Sequence, residues 1–515
     1  MDMNINELTT EKLSTDDYQQ LLSVMKASYP EWAGSYWSLT SISNLIQKFS
    51  DGQIVIKADG KVIGCALSII VNYEKFEDEH TYKQITGNYT FSTHDPKGDT
   101  LYGIEIFIHP DFRGLRMGRR LYDARKELCE RLNLQSIIFG GRIPNYYKHA
   151  TELSPKEYIH KVRTKEIYDP VLSFQLSNDF HVKKVLKGYM PDDTESKEFA
   201  TLLEWDNIYY SPRARKAFGP SSYVRLGLIQ WQMRPYADLN ALFSQVEYFV
   251  DAVSGYKSDF ALFPELFNGP LMAPFNHLGE AEAMRAIAQF TPEIKEKFLY
   301  LAIKYNVNII TGSMPSIEDG QLKNVGFLCH RNGKLDTYEK IHVTPDESLY
   351  WGMQGGSQLQ TFDTDAGRVG ILICYDVEFP ELARLLAGQG MQILFVPFLT
   401  DTQNSYMRVR CCAQARAIEN ECFVAISGSV GNLPNVENMD IQYSQSVVFT
   451  PCDYAFPYNG IKSEATPGTE MVVISDVDLS LLDELHSLGS VRNLKDRRTD
   501  VYELKYIAKG KEGSS

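Results

Sequence analysis

The chain lacks the features that mark several protein classes. Its most apolar stretches, such as Ile393-Leu-Phe-Val-Pro-Phe-Leu399, fall far short of the roughly 18 residues a membrane helix needs. Residues Met1–Leu13 have neither the basic start nor the apolar run of a secretion signal. Basic residues are outnumbered, 52 Lys+Arg against 66 Asp+Glu, for a formal net charge of −14. That balance excludes a nucleic-acid or anionic-membrane surface as the main partner, because either needs clustered Lys/Arg. Cysteine is sparse, 8 in 515 residues, and no two form a CxxC pair. A disulfide scaffold is therefore excluded. Cys411 and Cys412 are adjacent, but no His lies at ligand spacing from them, so no metal site is expected. Disorder is excluded by the 43% hydrophobic content. The expectation is a reduced, cytoplasmic, soluble protein.

What the chain does have is enough length for two or three domains of roughly 100–250 residues. The best boundary lies at Ser211–Ser222, which holds two prolines, a basic run and no hydrophobic periodicity. The expected domains are 1–212 and 223–480, with a C-terminal extension, 481–515, ending in a frayed tail. The halves share no motif and contain no repeat, so the chain reads as a fusion.

In the first half, helices are expected at Thr15–Met25 and Ser41–Phe49. Strands at Gln53–Lys57 and Lys61–Val71 flank the hairpin signal Asp59-Gly60. A strand at Leu101–Ile108 precedes a helix from about Leu115 to Leu132. Its apolar stripe is Met117, Leu121, Ala124, Leu128 and Leu132, with Arg, Lys and Glu on the opposite face. Ser136–Phe139 is the next strand. In the second half, strands at Phe260–Phe263, Asn308–Gly312, Val369–Cys374 and Gln392–Phe398 alternate with helices, one opened by Thr291-Pro292 as cap and first residue. Val325–His330 and Lys334–Lys340 flank a second hairpin signal, Asn332-Gly333. The order implies a layered α/β architecture.

Three reactive residues fall at strand exits, where α/β proteins gather catalytic groups. Glu265 follows Phe260–Pro264, Lys340 ends a hairpin arm, and Cys374 ends Gly370-Ile-Leu-Ile-Cys. A cysteine attacks carbon best as thiolate and so needs a nearby base or cation. A carboxylate can take its proton and pass it to a leaving amine. An ammonium, with the N–H of Tyr375, can stabilise an oxyanion; losing one such donor costs about 3–4 kcal/mol. Taken singly, each of these residues reads as an ordinary core or surface group.

The segments Leu262-Phe-Pro-Glu-Leu-Phe267, Tyr338-Glu-Lys-Ile-His-Val-Thr-Pro345, Ile371-Leu-Ile-Cys-Tyr-Asp-Val-Glu-Phe-Pro-Glu381 and Ala415-Arg-Ala-Ile-Glu-Asn420 together resemble the nitrilase (carbon-nitrogen hydrolase) superfamily over about residues 223–480. The resemblance implies Glu265 as general base, Lys340 as oxyanion stabiliser, Cys374 as nucleophile forming a thioester, and Glu347 as a second glutamate positioning substrate and lysine. It also implies a four-layer α-β-β-α sandwich, self-association, and a small amide or nitrile substrate without metal or redox cofactor. Tyr375-Asp376 follows the amidase-like branches, where nitrile-hydrolysing members carry Trp-Glu, so an amide is expected. Glu378 replaces an arginine common in omega-amidase-like members. It either selects a neutral or cationic substrate or caps the helix at Pro380. The other seven cysteines, Cys65, Cys129, Cys329, Cys411, Cys412, Cys422 and Cys452, are expected to be packing residues.

The strand–loop–helix segment Ile106–Leu121 carries Arg113, Arg116, Arg119 and Arg120 with Gly114 and Gly118. Backbone N–H groups at a helix start, with glycines for close approach, bind phosphate well. The segment resembles the pyrophosphate loop of GNAT-type N-acetyltransferases, and Gln175–Phe180 their closing segment, which implies a mixed sheet with helices over about residues 5–212. The implied acetyl-CoA contacts are Ile108, Arg113, Gly114, Leu115, Arg116, Met117, Gly118 and Arg119. Arg116 stands where that family has a glycine. Glu105 matches a general-base position, and Tyr146 or Tyr147 would protonate the CoA thiolate. Three readings follow: a hydrolase with an acetyltransferase-like partner domain, an amine acetyltransferase as the leading activity, and a CoA-sensing non-catalytic module.

Overall fold

The computed structural model describes residues 5–30, 36–76, 79–211, 222–437, 439 and 441–507. It divides into two compact units, Met1–Pro220 and Ser221–Ser515. Most of the expected linker, 212–221, and the expected tail lie outside the described residues.

The strands of the first unit are β1 (Leu8–Lys12), β2 (Gln53–Ala58), β3 (Lys61–Val71), β4 (Thr100–Ile108), β5 (Ser136–Arg142), β6 (His181–Lys187) and β7 (Phe199–Asp206). They form one sheet in the order β1-β2-β3-β4-β5-β7-β6. The β2–β3 hairpin turns where expected, with Asp59 and Gly60 at φ 47 and 75. Such left-handed angles favour Gly, Asn and Asp, which explains the sequence signal. Neighbours are antiparallel except β4 and β5, whose parallel ladder covers only Thr100–Tyr102 against Ser136–Ile138. Beyond it β4 runs on to Ile108 and β5 to Arg142, so the strands part and leave an opening in the sheet. A bulge lies at the same level: Leu67 faces Glu105 and Ser68 faces Gly103, with Ile104 left unmatched. Bulges bend a strand and free its backbone groups.

The helix after β4 spans Met117–Arg131. Met117, Leu121 and Leu128 are buried as their spacing requires, but so are Arg120, Arg125 and Lys126, against the expectation of a solvated basic face. Arg125 explains part of this. Its guanidinium donates to Ser68 Oγ at 3.1 Å, to the Leu67 carbonyl at 2.7 Å and to the Glu105 carbonyl. Buried carbonyls need donors, and here a side chain serves them at the bulge. Lys126 donates to the Asn178 carbonyl and to Asp179, each at 2.9 Å.

The strands of the second unit hydrogen-bond into one continuous 14-stranded network that folds into two sheet layers. One runs β8 (Tyr223–Met233), β9 (Phe260–Leu262), β10 (Asn308–Ile310), β12 (Gln321–Cys329) and β11 (Met314–Glu318), with β13 (Leu335–Glu339) on β12. The other runs β14 (Phe362–Thr364), β15 (Gly367–Ile371), β16 (Ile393–Phe398) and β17 (Phe423–Asn432). β18 (Ile441–Gln442) and β19 (Val447–Phe449) pair with β17, β20 (Ile461–Glu464) with β19, and β21 (Met471–Asp478) with β8. The sheets meet where Ser429–Gly431 pairs with Trp231–Met233.

Alternation along the strands makes two cores. Leu226, Leu228, Phe260 and Leu262 join Ile371, Phe395 and Val424 between the sheets. Ile229, Trp231, Ala261 and Phe263 face the helices Leu239–Gly255 and Thr291–Tyr305. Helices Pro380–Gly388 and Gln403–Asn420 pack on the far side through Leu382, Leu386, Val409 and Ala413. The result is a four-layer α-β-β-α sandwich. Phe260 and Phe395 lock the two sheets with ring centroids 5.0 Å apart; fully burying such a side chain contributes about 1.5–3 kcal/mol.

Some local expectations are corrected. Thr291 is the first helical residue, not the cap, and donates its hydroxyl to the Pro315 carbonyl at 2.6 Å. Cys411 and Cys452 are exposed rather than packed. Among the described residues no helix is long and apolar enough to cross a membrane, and no His/Cys/Asp/Glu group could hold a metal ion.

Candidate active site

Three strand exits converge in the second unit. After β9, Pro264 leads to Glu265, which bridges to Ser313 beyond β10. A Cβ on Gly312 would lie 1.9 Å from the Pro264 carbonyl oxygen, so only glycine allows these exits to approach. Lys340 follows β13, its N–H donating to the Asn324 carbonyl at 2.9 Å. Cys374 was expected to end a strand, but β15 stops at Ile371. Cys374 opens the 3-10 turn Cys374–Glu378 at φ 47. A non-glycine residue in this left-handed region is strained and persists only where its surroundings hold it.

The side chains then meet in a nearly dry cluster: Glu265 and Lys340 are 2% exposed, Glu347 4% and Cys374 7%. Lys340 Nζ lies 2.8 Å from Oε1 of Glu265 and 2.8 Å from Oε1 of Glu347. Asn324 Nδ2 donates to the same oxygens at 2.9 and 3.3 Å. The other Glu265 oxygen accepts from Leu399 N–H at 3.0 Å, while Cys374 Sγ donates to the Leu399 carbonyl at 3.6 Å. Glu347 sits in a capping box on the helix Pro345–Leu349, its second oxygen taking Thr344 N–H at 2.7 Å. One carboxylate thus caps a helix and orients the lysine.

Burial pushes the Glu265 carboxyl above its ordinary range; Lys340 opposes this and Glu347 adds to it. Burial, then the Glu265 charge, pushes the Cys374 thiol well up. Burial opposes charge on Lys340, but its two carboxylates outweigh it and hold the ammonium well above its usual range. Burial thus favours the neutral thiol on Cys374 and raises the proton affinity of the Glu265 carboxylate in the same cluster.

In the first unit, Glu105 lies at the bulge beside the β4–β5 opening and accepts from the Tyr29 hydroxyl at 3.0 Å. Burial raises its pKa, and the Tyr29 hydrogen bond partly offsets this. The loop after β4 turns at Gly114 and Arg116, at φ 88 and 55, before the helix opens at Met117. Arg116 thus holds a left-handed angle that glycine would adopt without strain. Ile108 ends β4 and accepts at its carbonyl from Ser28 Oγ at 3.1 Å. Arg113 closes the 3-10 turn Pro110–Phe112, Leu115 is half-buried, and Arg119 lies 3.9 Å from Asp123. Met117 points into the core, and a Cβ on Gly118 would meet the Phe174 ring at 2.6 Å. Tyr146 is buried and donates to the Leu153 carbonyl at 3.0 Å, whereas Tyr147 is exposed.

Residues 225–487 match the carbon-nitrogen hydrolase family, and residues 18–150 match the acetyltransferase (GNAT) family. The chain belongs to the carbon-nitrogen hydrolase family. It carries a GNAT domain ahead of the hydrolase domain. It is 43% identical to the Bacillus subtilis protein named "Probable hydrolase YhcX", over 97% of this chain and 97% of that one. Its first part is 33% identical to the B. subtilis "Uncharacterized N-acetyltransferase YkwB", over 39% of this chain and 90% of that protein. A deaminated glutathione amidase of Synechocystis is 37% identical, over 30% of this chain and 61% of the relative.

Reasoning from sequence missed four groups around the carbon-nitrogen hydrolase cluster. Asn324 joins both glutamates to Lys340, and its only signal was an amide amid the apolar strand β12. Leu399 contributes through its backbone, which no sequence pattern reveals. Asp376 is 1% exposed and accepts from Ile341 N–H at 3.0 Å and His342 N–H at 2.7 Å, fastening the Cys374–Glu378 turn to the segment after Lys340. Arg416, buried, donates to the Val377 and Glu378 carbonyls at 3.0 and 3.1 Å. Glu378 does not cap the helix: Phe379 is the N-cap residue and makes no side-chain cap, while the Glu378 carboxylate lies 3.6 Å from Arg408. Tyr375 packs edge-on against Phe379 at 4.9 Å.

Proposed function

We propose that the hydrolase domain cleaves a small, non-peptide amide through a Cys374 thioester. The observation that carries this reading is the contact of Lys340 with Glu265, 2.8 Å apart, in a buried cluster where Leu399 bonds Glu265 through its N–H and Cys374 through its carbonyl. Glu265 takes the thiol proton as sulfur bonds to the amide carbon and the C=O electron pair moves onto oxygen. The Lys340 ammonium and the N–H of Tyr375 hold that oxyanion. Collapse expels ammonia or an amine, which takes the proton from Glu265. Water then attacks the thioester, giving its proton to Glu265; the carboxylate product leaves and the proton returns to sulfur. Glu347 and Asn324 fix the lysine and the base so that no reorganisation is needed during the reaction. An amide is favoured over a nitrile by Tyr375-Asp376 and by similarity to a protein named as an amidase.

The test is ammonia release from a panel of primary amides. Cys374→Ala is expected to abolish it with the thermal transition unchanged, and Glu265→Gln to lower kcat at least a thousandfold. Full activity in Cys374→Ala rejects the assignment.

A second reading, for the GNAT domain, is supported by the β4–β5 opening with Glu105 beside it. Acetyl-CoA would lie along Ile108 and Arg113–Arg119, its pyrophosphate on the N–H groups opening the Met117–Arg131 helix, with Glu105 deprotonating an acceptor amine. Tyr147 is the better placed of the two tyrosines to protonate the thiolate, since the Tyr146 hydroxyl is committed to Leu153. Because Gly118 abuts Phe174, the loop is better tested with Arg113→Glu, which is expected to weaken CoA binding at least tenfold by calorimetry.

A further inference from the structure

The segment Ala415-Arg-Ala-Ile-Glu-Asn420 has no part in the hydrolytic steps above, yet it touches the Cys374–Glu378 turn. That turn has a local problem at its end. Phe379 leaves it in an extended conformation, at φ −95 and ψ 106, and the next residue, Pro380, has no N–H to give. The carbonyls of Val377 and Glu378 therefore gain no donor by continuing the turn. Val377 is fully buried, and a buried carbonyl needs a partner.

Arg416 supplies it from 39 positions away. It is 5% exposed and stands near the end of the helix Gln403–Asn420. Its Nε donates to the Val377 carbonyl at 3.0 Å and its Nη2 to the Glu378 carbonyl at 3.1 Å. These two donors share one edge of the planar guanidinium, so one rigid group serves two successive carbonyls. Nη1, on the other side, donates to Glu419 Oε1 at 2.9 Å. Asn420 Nδ2 donates to the Arg416 carbonyl at 3.0 Å, and Glu421 then ends the helix at φ 50. Each polar residue of the segment has a task. The arginine holds the turn, the glutamate fixes the arginine, and the asparagine secures the helix end that carries both.

We infer that Arg416 is a positioning residue for the Cys374 thiol; the inference rests on the reading of Cys374 as nucleophile and Glu265 as base. Cys374 opens the turn at φ 47, a conformation that persists only where its surroundings hold it. Asp376 ties the middle of the turn to Ile341 and His342, and Arg416 ties its end. With the end released, Cys374 is free to return to negative φ. Its sulfur then leaves the Leu399 carbonyl, whose own residue bonds Glu265 through its N–H. A lysine cannot take over this task, because one ammonium has no fork to span two carbonyls and a carboxylate. Since Arg416 acts on the turn, its loss lowers the rate more than it weakens substrate binding.

The experiment compares Arg416→Lys with the parent in the full chain. Alkylation by iodoacetamide is read by mass spectrometry at about pH 6, where an ordinary thiol is almost wholly protonated. The exposed Cys411 serves as internal reference. In the parent, Cys374 is expected to react faster than Cys411, because Glu265 takes its proton. In Arg416→Lys the ratio of Cys374 to Cys411 labelling is expected to fall at least tenfold, while circular dichroism and a urea transition show a folded chain. On a primary amide, kcat is expected to fall by a similar factor with KM within about twofold of the parent's. A folded Arg416→Lys protein with an unchanged labelling ratio and kcat would overturn the inference and leave the arginine a purely structural group. A parent whose Cys374 does not outpace Cys411 would reject Glu265 as base, and this inference with it. Glu419→Gln keeps the arginine but removes the charge that fixes it, and is expected to lower the labelling ratio about threefold. If Arg416→Lys does not fold, an unchanged ratio in Glu419→Gln would overturn the inference instead.

Discussion

Lys340 keeps its charge where an isolated ammonium would lose it. Burial alone favours the neutral amine, yet Glu265 and Glu347 stand 2.8 Å away on either side and reverse the balance. Asn324 shares both oxygens. Asn324→Ala is expected to lower kcat about 10- to 100-fold, since a hydrogen bond to a charged group contributes about 1.5–3 kcal/mol, with KM little changed; steady-state kinetics on an amide checks this. The pH profile carries a second expectation. As the proposed base Glu265 would have to be ionised, and burial raises its pKa, with Glu347 raising it further. The acid limb of kcat/KM should therefore lie above the ordinary carboxylate range. Glu347→Gln removes a charge that raises it, so the limb should move to lower pH. An unmoved limb would contradict the electrostatic account.

Among elements, the 3-10 turn Cys374–Glu378 sets where the Cys374 thiol sits relative to Glu265. It is held from two sides, by the Asp376 carboxylate on the N–H groups of Ile341 and His342 and by Arg416 on two carbonyls. Asp376→Ala leaves two partly buried N–H groups without their acceptor and is expected to cost about 1–3 kcal/mol of stability by urea denaturation, with a large loss of kcat. Little of this was legible beforehand. The apolar run Gly370–Ile373 reads as a strand continuing into Cys374, because a period-two pattern contains no sign of a residue turning to φ 47. The Asp59-Gly60 hairpin was legible, since its left-handed angles need particular residue types. The Met117–Arg131 helix was half legible: its apolar stripe was correct, but Arg125 faces inward to serve carbonyls at a bulge that local sequence does not announce.

For the molecule as a whole, each unit has a core drawn from its own residues. Leu21, Leu67 and Tyr102 belong to one, and Leu228, Phe395 and Val424 to another. Scanning calorimetry is expected to resolve two transitions. Leu67→Ala, which removes about 2–5 kcal/mol of packing, should move one of them and leave the other in place. Equal movement of both would contradict separate cores.

Residue order was sufficient to name the carbon-nitrogen hydrolase and GNAT families, and to single out Glu265, Lys340, Cys374 and Glu347, which the fold brings together. Motif spacing and capping chemistry are local properties of a chain. The same holds for the layered α/β class, which follows from alternating hydrophobic periods. The partners of those residues came only with folding. Glu265 and Lys340 are 75 positions apart, and Leu399 reaches Glu265 across 134. So too did the upward shifts on Cys374 and Glu265, because burial depends on which distant strands close over a site, and no local pattern carries that information.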